Sequence, residues 1–277
     1  MGQTIQDMFA DFQRIGLGTY SEENREQWRE NVLQALDAGY RVVDTAEVYE
    51  NETYIGEGIT QSEVPREDVF LATKTVHEVE PGPEHEDILT GVEGSLDRLD
   101  TDYVDLLYVH WPAELYDPET TLGAFDELRE MGKVEHVGVC NFEPDQLDRA
   151  RDVLDSPLFA NQIEMHPLLQ QEELVGYAQD HDHWIVAFCP LAQGAVFDVP
   201  EIREIAQRHS ASPAQVSLAW LLSKDNVAVI PKASSPDHLH DNLAAQELEL
   251  SEEDLARIDG IEREERIIDR DYAPWNC

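Results

Sequence analysis

Basic residues are scarce in this sequence. Nineteen lysines and arginines face 59 aspartates and glutamates over 277 residues, for a formal net charge of −40. The lysines are only Lys74, Lys133, Lys224 and Lys232. With no basic patch to release phosphate counterions, nucleic-acid binding is disfavoured. Cysteine is also rare: Cys140, Cys189 and Cys277 are odd in number and lack paired spacing, so neither a disulfide framework nor a zinc site is implied. No run of eighteen apolar residues occurs, which argues against a membrane span. The opening MGQTIQDMFADFQ has no charged start followed by an apolar block, so no signal peptide is expected, and it lacks the hydroxyl residue of a myristoylation signal. No GxGxxG follows a strand, which excludes a doubly wound dinucleotide fold.

What remains is a folded chain with an acidic surface. Apolar residues make up 42 % of it, so it is not a disordered acidic tail. A surface of this charge repels itself in dilute buffer. Molar salt, with a Debye length of about 3 Å, screens the repulsion. The composition is similar to that of halophilic archaeal proteins, which implies a cytoplasmic protein from a salt-accumulating cell.

Short apolar strands alternate with helical segments along the whole chain. Strands are expected at 11–20, 41–44, 69–74, 104–110, 134–139, 159–163, 185–188 and 227–230. Helices are expected at 21–38, with Ser21 as cap and Gly39 as stop, and at 51–61, 88–99, 122–131, 144–154 and 171–180. Two more, 201–208 and 213–223, precede the last strand; others begin near Pro236 and after Ser251. Strand 104–110, VDLLYVH, is almost wholly apolar, as a strand buried on both faces should be. Eight strands each followed by helix define the α/β class and a parallel (β/α)8 TIM barrel. The expected organisation is a single domain over 1–277, with a short tail from about residue 262 and residues 4–9 lying across the barrel bottom.

In such a barrel the chemistry lies at the C-terminal ends of the strands. Those ends carry Asp44, Lys74, His110, Asn141, Gln162, Phe188 and Lys232, with Tyr49 in the loop after Asp44. Taken singly, each has a plain structural explanation: a cap, a surface cation, a satisfied histidine, a core aromatic. Converging on one mouth, they fit carbonyl reduction. Hydride addition to a carbonyl carbon leaves an alkoxide that needs a proton. A phenol, with a pKa of about 10, is a weak donor near neutrality, and a neighbouring cation lowers that value. Lys74 supplies the cation, Asp44 holds Lys74 in place and charged, His110 orients the substrate oxygen, and Tyr49 donates.

The segments GLGTY, DTAEVYENE, ATK, YVHWP, GVCNF, NQIEMHP, FCPLAQG and IPKASSPDHLHDN follow in order from about residue 12 to about residue 260. Together they resemble the aldo-keto reductase family, and the length is similar to that of its shorter microbial members, such as reductases of diketo-sugar acids, glyoxals and small aldehydes. The resemblance implies NADPH as cofactor, since no side chain donates hydride. Asn141 and Gln162 would bond the carboxamide, and Phe188 would stack on the nicotinamide. Thr19 would add to that site. Cys189, Pro190, Leu191 and Gln193 would cover the pyrophosphate. Lys232, Ala233, Ser234, His238, Asp241 and Asn242 would hold the adenosine end. Tyr20, Trp111, Tyr272 and Trp275 are candidates for the substrate mouth, although Trp275 would serve equally to pin the tail. The partner implied is a small-molecule carbonyl, with no nucleic acid and no membrane, acted on by a monomer.

Three departures from the family pattern bear on the cofactor. Cys140 and Cys189 stand where serine is usual, and thiols are weaker donors. Phe188 stands where tyrosine is commoner. His238 replaces the arginine that grips a 2′-phosphate, so NADH is expected to be a workable substitute. Two other classes fit the same barrel: a nicotinamide-binding regulatory subunit with little turnover, and an enzyme of phosphorylated sugars. The latter calls for a glycine-rich loop after the last strands, and IPKASS has no glycine.

Overall fold

The computed structural model describes residues 13–20, 24–75, 84–113 and 115–276. Strands β1 (Leu17–Gly18), β2 (Val42–Asp44), β3 (Phe70–Thr75), β4 (Val104–Val109), β5 (Val134–Cys140), β6 (Leu158–Glu164), β7 (Trp184–Phe188) and β8 (Val227–Val229) pair in chain order, all parallel. A parallel bridge from Ile15 to Val229 joins last to first and closes the barrel. Helices α1 (Trp28–Ala38), α2 (Glu52–Gln61), α3 (His85–Leu99), α4 (Pro118–Glu130), α5 (Pro144–Val153) and α6 (Glu172–Asp180) surround the first six connections. The chain continues through α7 (Pro200–His209), α8 (Pro213–Leu222), α9 (Pro236–Leu243) and α10 (Glu252–Asp259). This is the single-domain (β/α)8 barrel that the alternation implies.

Two apolar shells hold it together. Successive strand side chains point to opposite faces. One set fills the barrel, with Val42, Phe70, Ala72, Leu106, Tyr108, Ala160, Val186 and Ala228 in contact. The other set, including Val43, Leu71, Leu107, Val139 and Ile185, packs outward against the helices. Each helix answers with one stripe, as α3 does by burying Ile88, Val92, Leu96 and Leu99. That double burial is why the strands read as continuous apolar runs.

The expected boundaries shift where capping chemistry decides them. The first strand is not ten residues long; only Leu17 and Gly18 pair as β1. The seam between first and last strands needs a close backbone approach: a Cβ on Gly18 would lie 2.5 Å from the Ile230 carbonyl oxygen. Helix α3 starts at His85, ahead of 88, because Glu84 and Asp87 form a reciprocal capping box. Helix α4 starts at Pro118, ahead of 122, with the Asp117 carboxylate accepting the Thr120 N–H at 2.9 Å. Ser21 and the stretch 4–9 lie outside the described residues. Among the described residues no helix is long and apolar enough to cross a membrane.

Candidate active site

The inward-facing columns of several strands are apolar below and polar at their C-terminal ends. Val42 leads to Asp44; Phe70 and Ala72 lead to Lys74; Ala160 leads to Gln162 and Glu164. His110 follows β4 directly, and Phe188 ends β7. The period of two therefore delivers these groups to one mouth. The described structure brings Asp44, Tyr49, Lys74 and His110 together.

Lys74 is 1 % exposed, and its ammonium donates to Asp44 Oδ1 and, at 2.8 Å, to the Thr45 carbonyl oxygen. Asp44 Oδ2 accepts a hydrogen bond from Gln162 Nε2 at 2.7 Å. The ammonium lies 5.2 Å from the ring centroid of Tyr49 and 5.9 Å from that of Tyr108. Tyr108 fits there because residue 138 is glycine: a Cβ at Gly138 would stand 2.6 Å from the Tyr108 ring. Tyr49 sits on a 3-10 turn, Glu47–Tyr49. Its ring meets His110 edge-on at 5.8 Å and Tyr20 at 5.1 Å.

Several residues that the sequence reading left without a role fix that turn. Buried Glu52 accepts from Thr73 Oγ1 at 2.6 Å and from Arg98 Nε at 2.8 Å, while Arg98 Nη2 reaches Glu47 at 3.3 Å. Asn51 accepts from Thr45 Oγ1 at 2.7 Å and donates to the Thr19 carbonyl oxygen at 2.9 Å. Tyr49 is thus braced from both sides. The signal was present in DTAEVYENE, where polar residues adjoin a helix start that buries them, but nothing local names their partners.

The electrostatics follow from burial. For Lys74, burial pulls the pKa down, but the Asp44 carboxylate and the neighbouring Tyr49 outweigh it and raise it above the lysine value, so the ammonium stays charged. Burial pushes Asp44 up, partly opposed by Lys74 and the Gln162 hydrogen bond. Burial, reinforced by the Lys74 charge, holds His110 well below 6.5, so the imidazole is neutral at neutral pH. The phenol differs from expectation. Burial pushes Tyr49 up to about 12 even though Lys74 pulls it down, so the cation limits the rise and does not take the phenol below its ordinary value.

The cofactor candidates divide into two groups. Asn141, at the end of β5, has φ 64°, donates through Nδ2 to the His110 carbonyl oxygen at 3.2 Å, and has a buried Oδ1 with no partner among the described residues. Thr19 is buried at the end of β1 beside Asn51, and Phe188 is half-buried. Cys189 and Gln193 both take positive φ in the turn that also carries buried Pro190 and half-buried Leu191, and burial pushes the Cys189 thiol up to about 12. Lys232 and Ser234 are exposed on the stretch leading into α9 and His238 is exposed in its first turn, with Lys232 Nζ 3.3 Å from Ser234 Oγ. Ala233 is buried between them. Asp241 and Asn242 are engaged within the protein: Asp241 accepts from Ser212 Oγ at 2.6 Å, and Asn242 hydrogen-bonds the Tyr40 hydroxyl.

At the rim Trp111, beside His110, meets Tyr272 at 5.5 Å and Trp275 at 5.9 Å. Trp275 also donates through Nε1 to Asp269 at 3.0 Å, so it both pins the tail and lines the mouth. Tyr20 is 48 % exposed on the far side of Tyr49.

A parallel barrel whose C-terminal mouth gathers a buried acid–lysine pair, a phenol and a neutral imidazole is built for acid–base chemistry on a small molecule. The family model described as Aldo/keto reductase family matches residues 14–263. The chain is 36 % identical over 254 residues to the glyoxal reductase of Bacillus subtilis, covering 91 % of this chain and 90 % of that protein. It is 34 % identical over 257 residues to the 9,11-endoperoxide prostaglandin H2 reductase of Trypanosoma cruzi, covering 92 % and 89 %. Among solved structures, one named by inference as a 2,5-diketo-D-gluconic acid reductase B superposes with a TM-score of 0.91 at 33 % identity, covering 99 % of this chain and 96 % of the other. The aldose reductase of Schistosoma japonicum superposes with a TM-score of 0.86 at 29 % identity, covering 94 % and 92 %. The chain belongs to the aldo/keto reductase family and is an oxidoreductase.

Proposed function

We propose that this enzyme reduces an aldehyde, ketone or keto-sugar carbonyl to the alcohol with NADPH, using Tyr49 as the proton donor. The observation that carries this reading is the convergence of the Tyr49 ring, the neutral His110 and the Lys74–Asp44 pair at one mouth. Members of the family generally use NAD(P)H, and the residues present fit such a group. The orphaned Asn141 Oδ1 is a buried acceptor suited to a carboxamide N–H. Phe188 offers a half-buried ring at the end of β7, and Lys232 with Ser234 offers exposed donors for phosphate. When bound, the nicotinamide supplies the hydride.

The chain's own groups do the rest. Neutral His110 has a ring N–H to donate to the substrate oxygen, which fixes the carbonyl without adding a second cation. As negative charge develops on that oxygen, the Tyr49 hydroxyl donates its proton. An alkoxide is far more basic than a phenolate, so a phenol at about 12 remains a competent donor. Lys74 stabilises the phenolate that forms, and Asp44 keeps Lys74 charged and aimed. Trp111, Tyr272 and Trp275 exclude water from one side of the mouth. The small dicarbonyl in the name of the Bacillus relative is a fitting first substrate, with a diketo-sugar acid and an aryl aldehyde beside it in the panel.

Tyr49→Phe tests the assignment. Turnover should fall by about 10²- to 10⁴-fold, the usual contribution of a positioned acid, while NADPH still quenches tryptophan fluorescence with near-native affinity. Near-native kcat in the folded variant would remove Tyr49 from the role. Cofactor choice has its own test. His238 stands where a guanidinium would bind a 2′-phosphate with two donors. A hydrogen bond to a charged group is worth about 1.5–3 kcal/mol. The NADPH-to-NADH ratio of kcat/KM is therefore expected to be modest and to rise about ten- to a hundredfold in His238→Arg. An unchanged ratio would place His238 outside the cofactor site.

A further inference from the structure

One carboxylate at the mouth has no part in the proton chemistry above. Glu164 ends β6, lies opposite Phe188 in the β6–β7 register and is 1 % exposed. Its Oε1 accepts the Ile267 N–H at 2.6 Å and a hydrogen bond from His166 Nε2 at 3.0 Å, and its Oε2 accepts the Ile268 N–H at 2.7 Å. His166 is itself fully buried, and its Nδ1 accepts the Leu168 N–H at 3.2 Å. That bond leaves the ring proton on Nε2, pointed at the carboxylate. Glu265 N–H donates to the Leu168 carbonyl oxygen at 2.8 Å. The end of β6 thus grips the backbone at 267 and 268, and the turn after it holds 265, about a hundred residues later.

The gripped segment has no helix or strand of its own to satisfy these N–H groups. An amide buried without a partner is costly, and a carboxylate is the strongest acceptor available to it. Beyond the grip the tail turns back to the site. The Arg266 guanidinium lies 3.8 Å from the Trp275 ring centroid, and Asp269 accepts from both Trp275 Nε1 at 3.0 Å and Asn276 Nδ2 at 2.6 Å. This compact turn sets Tyr272 and Trp275 against Trp111, next to His110.

We propose that Glu164, oriented by His166, is a positioning residue for substrate selection. It clasps the tail at Ile267 and Ile268 and so sets the width of the mouth between Trp111 and the pair Tyr272 and Trp275. The selective effect rests on the carbonyl-reduction reading; the clasp does not. Both carboxylate oxygens are needed. In Glu164→Gln the amide nitrogen, a donor, must face the Ile268 N–H or the Ile267 and His166 donors, so at least one bond is replaced by a donor–donor repulsion. The tail then loosens, and the aromatic wall moves away from Trp111 while Asp44, Tyr49, Lys74 and His110 stay in place.

The test compares a bulky and a small substrate in molar potassium chloride. In Glu164→Gln, KM for 2-naphthaldehyde should rise about tenfold or more, the effect of one lost bond to a charged group. In the same variant kcat for methylglyoxal should stay within about twofold of native, since general acid catalysis depends on groups the clasp does not touch. Trp275→Ala should likewise raise KM for 2-naphthaldehyde, and Trp275→Ala added to Glu164→Gln should raise it little further, because both act through one wall. Equal losses on the two substrates, no loss on either, or full additivity would overturn the proposal. A second measurement needs no variant and no substrate. The Ile267 and Ile268 amides of the native protein should exchange slowly with deuterium; rapid exchange overturns the clasp even where Glu164→Gln fails to fold. Slow exchange in a native protein that reduces neither aldehyde counts against the carbonyl reading alone.

Discussion

Asp44 and Asp254 are almost equally sheltered, at 3 % and 1 % exposed, yet they titrate in opposite directions. Asp254 lies in the first turn of α10, where Ser251 N–H and Oγ bond its Oδ2 at 3.2 and 2.7 Å, His209 Nε2 bonds it at 2.9 Å, and Arg208 pairs with Oδ1. Burial pushes that carboxyl up, but the Ser251 and His209 hydrogen bonds and the Arg208 charge hold it at about 2. Asp44 also has a cation and a hydrogen-bond donor, but its pKa ends above the ordinary carboxylate value. Depth and partners together make the difference: Asp44 lies inside the barrel, whereas Asp254 lies near the surface at the start of α10 and accepts more hydrogen bonds. The Arg208 and His209 side chains keep 45 % and 26 % of their surface in water, while Lys74 keeps 1 %. An ion pair in which both members lose their water gains little stability. The outer aspartate therefore serves the fold, while the inner pair adds little to stability, in keeping with its proposed role beside the Tyr49 phenol.

The largest effect should come from breaking the inner pair on one side only. Lys74→Met leaves Asp44 buried without its cation, which costs about 3–5 kcal/mol, and carbonyl reduction is lost with the ammonium. Adding Asp44→Asn should recover most of that stability, because the second change removes the stranded charge. Urea unfolding of both variants in molar potassium chloride measures the cycle. Single and double variants of equal stability would mean that Asp44 and Lys74 are not the desolvated pair seen here.

The pH profile sharpens the same contrast at the phenol. Tyr49 acts in its protonated form, so activity is present below its pKa and lost as pH rises through it. With the phenol at about 12, kcat/KM should be level across neutral pH and fall only at strongly alkaline pH. His110, held neutral by burial and by Lys74, should add no step near its ordinary value. A fall centred well below 10 would show that Lys74 lowers the phenol, as the sequence alone suggests.

How much of this was legible follows from how local each cause is. The barrel reads clearly because each strand is an apolar run and each helix a stripe, both set by near neighbours in sequence. Lys74 and His110 stand out as polar residues ending apolar strands in a chain poor in lysine. Gln162 was legible as a site residue, but its bond to Asp44 was not, since their partnership spans 118 residues. Glu164 stands within NQIEMHP, but nothing there assigned it a role, because its distant partners are backbone N–H groups of a tail with no periodicity. The first strand is shorter than the sequence suggests for a related reason: the close approach of Gly18 to Ile230 belongs to the seam between opposite ends of the chain. The phenol was misjudged in direction because composition and spacing carry no measure of how fully a side chain is desolvated.

The smallest effect should come from the outer aspartate. Asp254→Asn keeps an oxygen for the Ser251 cap but removes the charge that Arg208 and His209 share. The loss should be about 1 kcal/mol, the scale of a helix cap together with a partly exposed ion pair. Its pH dependence has a definite sign. The folded pKa of about 2 lies below the ordinary 3.8, so the carboxylate's contribution is complete above that ordinary value and disappears as pH falls through the folded one. The melting temperature of the native protein alone hides this. Acid also neutralises the other carboxylates of a chain carrying −40, which relieves self-repulsion over the same range. The difference between native and Asp254→Asn cancels that common term. It should shrink towards zero between about pH 4 and pH 2. High salt should reduce it, because the Arg208 side chain is 45 % exposed and screened. A difference that stayed constant down to pH 2 would mean that the neutral hydrogen bonds alone hold this helix end. The contrast with Asp44 would then rest on hydrogen-bond geometry and not on the water left around the cation.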